Sequence, residues 1–167
     1  MLPRDEYFAE LRKFPTSFRA GVELYQSPEN GMEILLEERG GDDVFFGGRW
    51  ALFASTILME ETIEAFWERH AKNETGLETE SNVPSWTFCG IVETPHTERH
   101  HGIIQVFGRV WHERPKTKNG VWFPFTELNT IEIVPSEVVV FTCAKDVLIE
   151  KKQPYHLQYL GTDKREE

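Results

Sequence analysis

A chain of 167 residues, 40% hydrophobic and 13% aromatic, carries enough apolar surface for one packed domain, which excludes a disordered polymer. A formal net charge of −10 excludes a general binder of nucleic acid or of an anionic membrane, because such partners require clustered Lys and Arg. The N-terminal stretch is too acidic for a secretion signal and no apolar run approaches membrane-spanning length; Cys89 and Cys143, both in apolar runs, fit buried free thiols of a cytoplasmic protein.

Residues 3–14 read as a short helix. Pro3 suits a first turn, Asp5 and Glu6 suit its positive end, Phe8 and Leu11 share a face, and Pro15 stops it. Residues 17–26 alternate as a strand, 27–31 (SPENG) have turn chemistry, and 32–38 return as the second arm of a hairpin. Residues 39–49 form a glycine-rich, charged loop before a short apolar strand at 50–53. A helix is predicted over 61–75, because Ile63, Phe66, Trp67 and Ala71 fall at i, i+3, i+4 and i+8. Its other face holds Glu61, Glu64, Glu68, Lys72 and Asn73, and Gly76 stands where a C-terminal glycine cap belongs.

A polar linker at 78–85 leads to strands predicted at 86–93 and 101–111. A basic turn at 113–120 precedes a strand at 121–125, placed at an edge by Pro124. The stretch 135–148 carries both signals. Its β-branched residues favour a strand, whereas Pro135 and Glu137 followed by Val138, Phe141, Cys143, Ala144 and Leu148 favour a helix, the reading adopted here. The expected organisation is one α/β (α+β) domain over 1–150, its N-terminal helix within 1–15, and a polar extended tail over 151–167.

The stretch WALFASTILMEETIEAFWERHAKNETGLE resembles the signature of the Nudix hydrolase family, G-x5-E-x7-R-E-U-x-E-E-x-G-U, with U a bulky aliphatic. Aligned without gaps the signature begins at Ser55, with its first glutamate at Glu61, its arginine at Arg69, its last glutamate at Glu74 and its closing pair at Gly76 and Leu77. The approach GRWALFAST, the hairpin end ILLEER, the later HHGIIQVFGRVW and the segment WFPFTEL are also similar to the family, over roughly 17–148. The resemblance implies an α/β/α sandwich, a mixed sheet with a central box helix and a C-terminal helix. Within the family EETIEAFWERHAKNETGL looks most like the GDP-mannose mannosyl hydrolases, whose box also lacks two glutamates.

The departures bear on chemistry. The ordinary box offers three glutamates to Mg²⁺ (or Mn²⁺); here those positions are His70, Asn73 and Glu74. The variant's Gly-Gly-Arg loop is Ala54-Ser55-Thr56, and the place of its metal-binding glutamine and its histidine base is Lys116-Thr117. The resemblance leaves Glu74 and the Ala54 carbonyl as metal ligands, with a surface acid at the helix end the other reading of Glu74, and Glu61, Arg69 and Gly76 as structural box residues; Arg39, after an apolar strand and before the glycine-rich loop, is placed either to hold a diphosphate or as a solvated loop arginine. His70, four residues before Glu74, is an accessory candidate for a transition metal. No catalytic base is assigned, and Trp50, Trp67, Trp86, Trp111 and Trp122 are expected in the core rather than as base stackers.

Two functions follow. One is a divergent hydrolase of, or binder for, nucleoside-diphosphate derivatives such as nucleotide sugars; the other is a silent module that binds a nucleotide or a protein. The sequence leans to the hydrolase with impaired or altered chemistry. The expected partner is a small-molecule nucleotide derivative, with neither nucleic acid nor membrane, and a homodimer is left open.

Overall fold

The computed structural model describes residues 16–41, 43, 46–58, 60–78, 83–95 and 101–161, and one long strand organises it. β1 (Thr16–Ser27) alternates two chemistries. Ala20, Val22 and Leu24 are buried apolar side chains, while Arg19, Gly21, Glu23 and Tyr25 stand between them and so belong to the opposite face.

β1 pairs in parallel with β6 (Gly102–Trp111), from Thr16 opposite Gly102 to Tyr25 opposite Trp111. Its other edge meets β2 (Gly31–Glu38) and then β4 (Phe53–Thr56), both antiparallel. β3 (Trp50–Ala51) and β7 (Val121–Pro124) pair with β2. β5 (Thr87–Thr94) runs antiparallel to β6, and β8 (Tyr155–Gln158) runs parallel to β5, giving the path β3-β2-β1-β6-β5-β8. The mixed sheet carries helices on both faces, the α+β architecture expected from the sequence.

The apolar face lies under the C-terminal helix (Pro135–Leu148). Val140, Cys143, Ala144 and Leu148 join Ala20, Val22, Leu24, Cys89, Val92 and Val106 in one core. Each fully buried aliphatic side chain there contributes about 1.5–3 kcal/mol relative to exposure. The helical reading of 135–148 therefore holds, with its stripe rotated: Val138 is 43% exposed and Phe141 meets Phe125 edge-on at 5.0 Å. Both cysteines are free and buried. The Cys143 thiol donates to the Cys89 carbonyl at 3.4 Å, and burial pushes the thiols up to about 12 at Cys89 and about 11 at Cys143.

The central helix differs from its prediction in two ways. It begins at Ile63, because Thr62 is extended and caps it by accepting the Ala65 N–H at 3.1 Å. After Arg69 it is wound as a π-helix over His70–Thr75. The buried stripe is Phe66, Trp67, His70 and Thr75 rather than Ile63, Phe66, Trp67 and Ala71, and the wider turn is what brings Thr75, five residues after His70, onto it. Ile63 is 47% exposed and Ala71 half-buried.

The region expected as a polar tail from 151 extends the sheet by one strand, so residues 155–158 belong with the sheet. The predicted helix over 3–14 and the chain end at 162–167 lie outside the described residues. No helix among the described residues is long and apolar enough to cross a membrane.

β8 reaches β5 only because Gly90, at φ +149, lies against it; an added Cβ would overlap the Tyr155 carbonyl oxygen. Gly90→Ala is expected to destabilise the protein by about 1–3 kcal/mol in denaturant unfolding. Hydrogen exchange should show lost protection at residues 155–158.

Candidate functional site

The face of β1 opposite the apolar core is polar, and the central helix packs over it. Its best-defined feature is the brace at the helix start. Arg69 donates to both Glu61 carboxylate oxygens, at 2.7 and 2.9 Å, and to the Thr56 carbonyl at 3.1 Å. The Leu58 N–H adds a bond to Glu61 at 3.3 Å. The hydrogen bonds from Arg69 hold the Glu61 carboxyl below its ordinary 4.5, and the same contact raises the Arg69 guanidinium. The ion-pair partners of the box thus meet, and they tie the helix to β4.

Residues 54–56 are a strand rather than a glycine loop. Ala54 lies opposite Ala20, Ser55 opposite Arg19 and Thr56 opposite Phe18. Without glycine the backbone keeps to the β region and pairs with β1. The Ile57 N–H donates to the Ser17 carbonyl at 3.2 Å, so the hydrogen-bonded pairs fall at Ser17, Arg19 and Gly21. The Ala54 carbonyl therefore points away from β1, on the same side as the Thr56 carbonyl that meets Arg69. Glu74 is half-buried near Arg69, whose charge it favours, and its main-chain carbonyl accepts from the Asn119 side chain at 2.7 Å.

His70 does not share a metal-facing surface with Glu74. It follows Phe66 by four residues and Trp67 by three, on the same helix face, and is fully buried against the sheet. Its ring stacks on Phe66 at 5.8 Å and meets Phe53, Trp67 and Trp86 edge-on. Neither ring nitrogen has a hydrogen-bond partner among the described residues. Gly21 makes this approach possible, since a Cβ there would lie 2.8 Å from His70 Nε2. Burial first, then the charges of Arg109 and Arg69, lower its pKa from 6.5 to about 3, so the imidazole is neutral.

Arg39, the candidate for a diphosphate, is engaged within its own loop. Its Nη1 donates to Glu37 at 2.7 Å and its Nη2 to Asp43 at 3.0 Å. Its backbone pairs with Arg49 and Gly48, so the side chain closes the glycine-rich loop. Gly76 adopts the left-handed cap at φ 58, as its position implies. Residues 116–119 complete that helix end. The Thr117 hydroxyl donates to the Thr75 carbonyl at 2.6 Å, and the Glu78 N–H donates to the Lys116 carbonyl at 2.9 Å.

The sequence reading missed a buried ion pair beside His70. Arg109 donates to Glu23 through Nε at 2.8 Å and Nη2 at 2.7 Å, and the Trp111 indole N–H donates to the same carboxylate at 2.6 Å. The signal was a lone acid in AGVELYQ and a lone base in VFGRVW, each inside an otherwise apolar strand. Nearby, Arg19 donates to Gln105 at 3.0 Å and lies over Phe66, while its Nη1 and the neighbouring Ser55 Oγ are buried without partners.

These donors do not fit the multi-magnesium site that the family resemblance implies. Mg²⁺ requires an octahedron of hard oxygens. The box positions offer an enclosed neutral imidazole, an amide and one carboxylate. Among the described residues, no three His, Cys, Asp or Glu side chains gather as a metal site.

The chain has the Nudix fold. The NUDIX domain of Shewanella oneidensis NrtR, solved with ADP-ribose, superposes with a TM-score of 0.66 at 15% identity, covering 88% of this chain and 99% of that one. A mutT/nudix family protein from Listeria innocua gives 0.66 at 18% identity, covering 83% and 97%. The C-terminal domain of mouse MUTYH, solved with human PCNA, gives 0.63 at 16% identity, covering 80% and 89%. No family profile matches the sequence and no curated protein matches it.

Two outcomes are expected. A double-mutant cycle on Glu61→Gln and Arg69→Met should give a coupling energy of about 0.5–3 kcal/mol at neutral pH. The coupling should vanish in acid, because a carboxyl with a lowered pKa stabilises the fold above its unfolded value and loses that effect as pH falls through the folded one. His70 acts through the unfolded state. Between pH 6.5 and about 3 the unfolded chain takes a proton that the folded chain refuses, so stability falls with pH across that window. Denaturant titrations at about pH 7 and about pH 4.5 should show a flatter dependence in His70→Leu than in the wild type.

Proposed function

We propose that the protein is a Nudix-fold binding module for a nucleoside-diphosphate derivative, in which the box helix supports the fold rather than a cluster of metal ions. The observation that carries this reading is His70. Hydrolysis of a pyrophosphate requires hard anionic oxygens around a divalent cation to activate water. The position that would supply the first of them holds a neutral imidazole sealed among Phe53, Phe66, Trp67 and Trp86. Glu61 is bonded to Arg69, so Glu74 is the one box carboxylate not engaged in the brace.

The ligand class is supported by the likeness to a domain solved with ADP-ribose and by the box variant similar to that of the GDP-mannose mannosyl hydrolases. Nucleotide sugars and ADP-ribose share a nucleoside, a diphosphate and a second sugar, and they form the natural panel. The test is calorimetry with ADP-ribose and GDP-mannose in EDTA, Mg²⁺ and Mn²⁺, together with assays for released phosphate, nucleoside diphosphate and sugar. Binding of at least one compound that survives EDTA, without turnover, is expected. Metal-dependent release that is lost in Glu74→Gln would overturn the reading in favour of a hydrolase with a cation on Glu74 and the Ala54 carbonyl. Failure to bind any compound of the panel would overturn the ligand class.

A further inference from the structure

The contacts of Trp86 are those of a bound base. Its indole stacks on Trp67 at 3.9 Å between centroids, 19° from parallel. The Arg109 guanidinium carbon lies 4.2 Å from the centroid of the Trp86 ring. Two groups centred about 4 Å above one face would overlap, so they lie on opposite faces. Trp86 is thus clamped between an aromatic plane and a guanidinium.

The walls of this clamp are held without help from Trp86. Trp67 is built into the central helix and is 8% exposed. Arg109 is fixed by its bidentate bond to Glu23, which the Trp111 N–H also holds, and its other contact is the Trp111 ring at 4.6 Å. The floor is Gly21, where a Cβ would stand 2.8 Å from Trp86 Cη2. Trp86 itself is half-buried, precedes β5 in irregular backbone, and makes no side-chain hydrogen bond among the described residues.

We infer that the slot between Trp67 and Arg109 is a nucleobase-stacking subsite, filled by Trp86 as an internal plug that a purine displaces. The inference deepens the nucleotide-binding reading above and rests on it. An indole and a purine are fused five- and six-membered rings of similar area, so either fills the slot. Stacking and cation–π attraction act on both alike. A purine adds polar edges that indole lacks, while Trp86 is tethered and therefore competes at high local concentration. The plug weakens binding without contributing a contact to the ligand.

The test compares ADP with ribose 5-phosphate, which lacks the base, on the wild type and on Trp86→Ala. Near-UV circular dichroism establishes that the variant is folded. ADP should bind Trp86→Ala about tenfold tighter or more, whereas the affinity for ribose 5-phosphate should not change. If the wild type binds ADP-ribose but Trp86→Ala binds ADP no tighter than the wild type does, the plug is overturned and the nucleotide-binding reading stands. If neither protein binds ADP, ADP-ribose or GDP-mannose, both fall together. Should Trp86→Ala fail to fold, 5-fluorotryptophan in the intact chain supplies the readout, with the Trp86 resonance assigned by Trp86→Phe. Added ADP should move that resonance to a solvent-exposed position. A Trp86 signal that remains enclosed at saturating ADP would overturn the plug.

Discussion

The parallel pairing of β1 with β6 is fixed by one buried ion pair. Glu23 and Arg109 face each other across the two strands, with side chains 0% and 5% exposed. A buried pair adds little stability over apolar residues of the same volume, but breaking one costs about 3–5 kcal/mol. Its effect is therefore on register. A slip of one residue would turn β6 over and drive Arg109 into the apolar core beneath the C-terminal helix. Trp111 completes the arrangement by donating to the Glu23 carboxylate. The contact that selects the register also holds the guanidinium over the Trp86 ring.

The central helix keeps one part of the box and replaces another. Glu61 and Arg69 still join the helix start to the Thr56 carbonyl, a mechanical task that needs no metal. Beyond Arg69 the π turn changes which residues face the sheet. His70 is a core side chain, and Thr75, five residues on, is buried where an α-helix would have presented Glu74. The far end is anchored by Thr117 and Asn119, the segment in which the resemblance placed a metal-binding glutamine and a base. The segment that departs from the resemblance is therefore the one that reinforces the helix end.

The sheet was legible because its strands carry period-two or continuous apolar patterns, and most observed ends fall within a residue of their predictions. The tail was read as polar and extended; it was not seen to pair, because Tyr155–Gln158 is a short edge strand accepted through a glycine on β5. The π turn was illegible for a different reason. An i, i+3, i+4 pattern presumes 3.6 residues per turn, and Phe66, Trp67 and Ala71 satisfy it without revealing that Thr75 would be buried instead. The brace was legible from box spacing. The local partners of Arg39, Glu37 and Asp43, were not legible, because sequence alone does not tell paired loop acids from solvated ones. Trp86 was assigned to the core with the other tryptophans, and only the geometry separates a half-exposed ring in a clamp from a packed one.

For the nucleotide subsite proposed above, the charge balance favours stacking over ion pairing. A chain of net charge −10 repels a diphosphate at long range, and screening removes most of that repulsion at physiological salt. Close to the sheet, Arg109 has its charge matched by Glu23, with its guanidinium carbon over the Trp86 ring. Arg39 is held by Glu37 and Asp43, and Arg69 by Glu61. In that proposed subsite affinity would come chiefly from the ring, through contacts that salt weakens little, with Arg19 Nη1 a buried guanidinium donor that has no partner among the described residues on the same face. A stacking slot without phosphate clamps would accept any flat ring of the right size, and Trp86 is the ring the chain itself supplies. Selectivity in such a site comes from what displaces the plug, because a ligand must outcompete a tethered indole before any of its other groups are read.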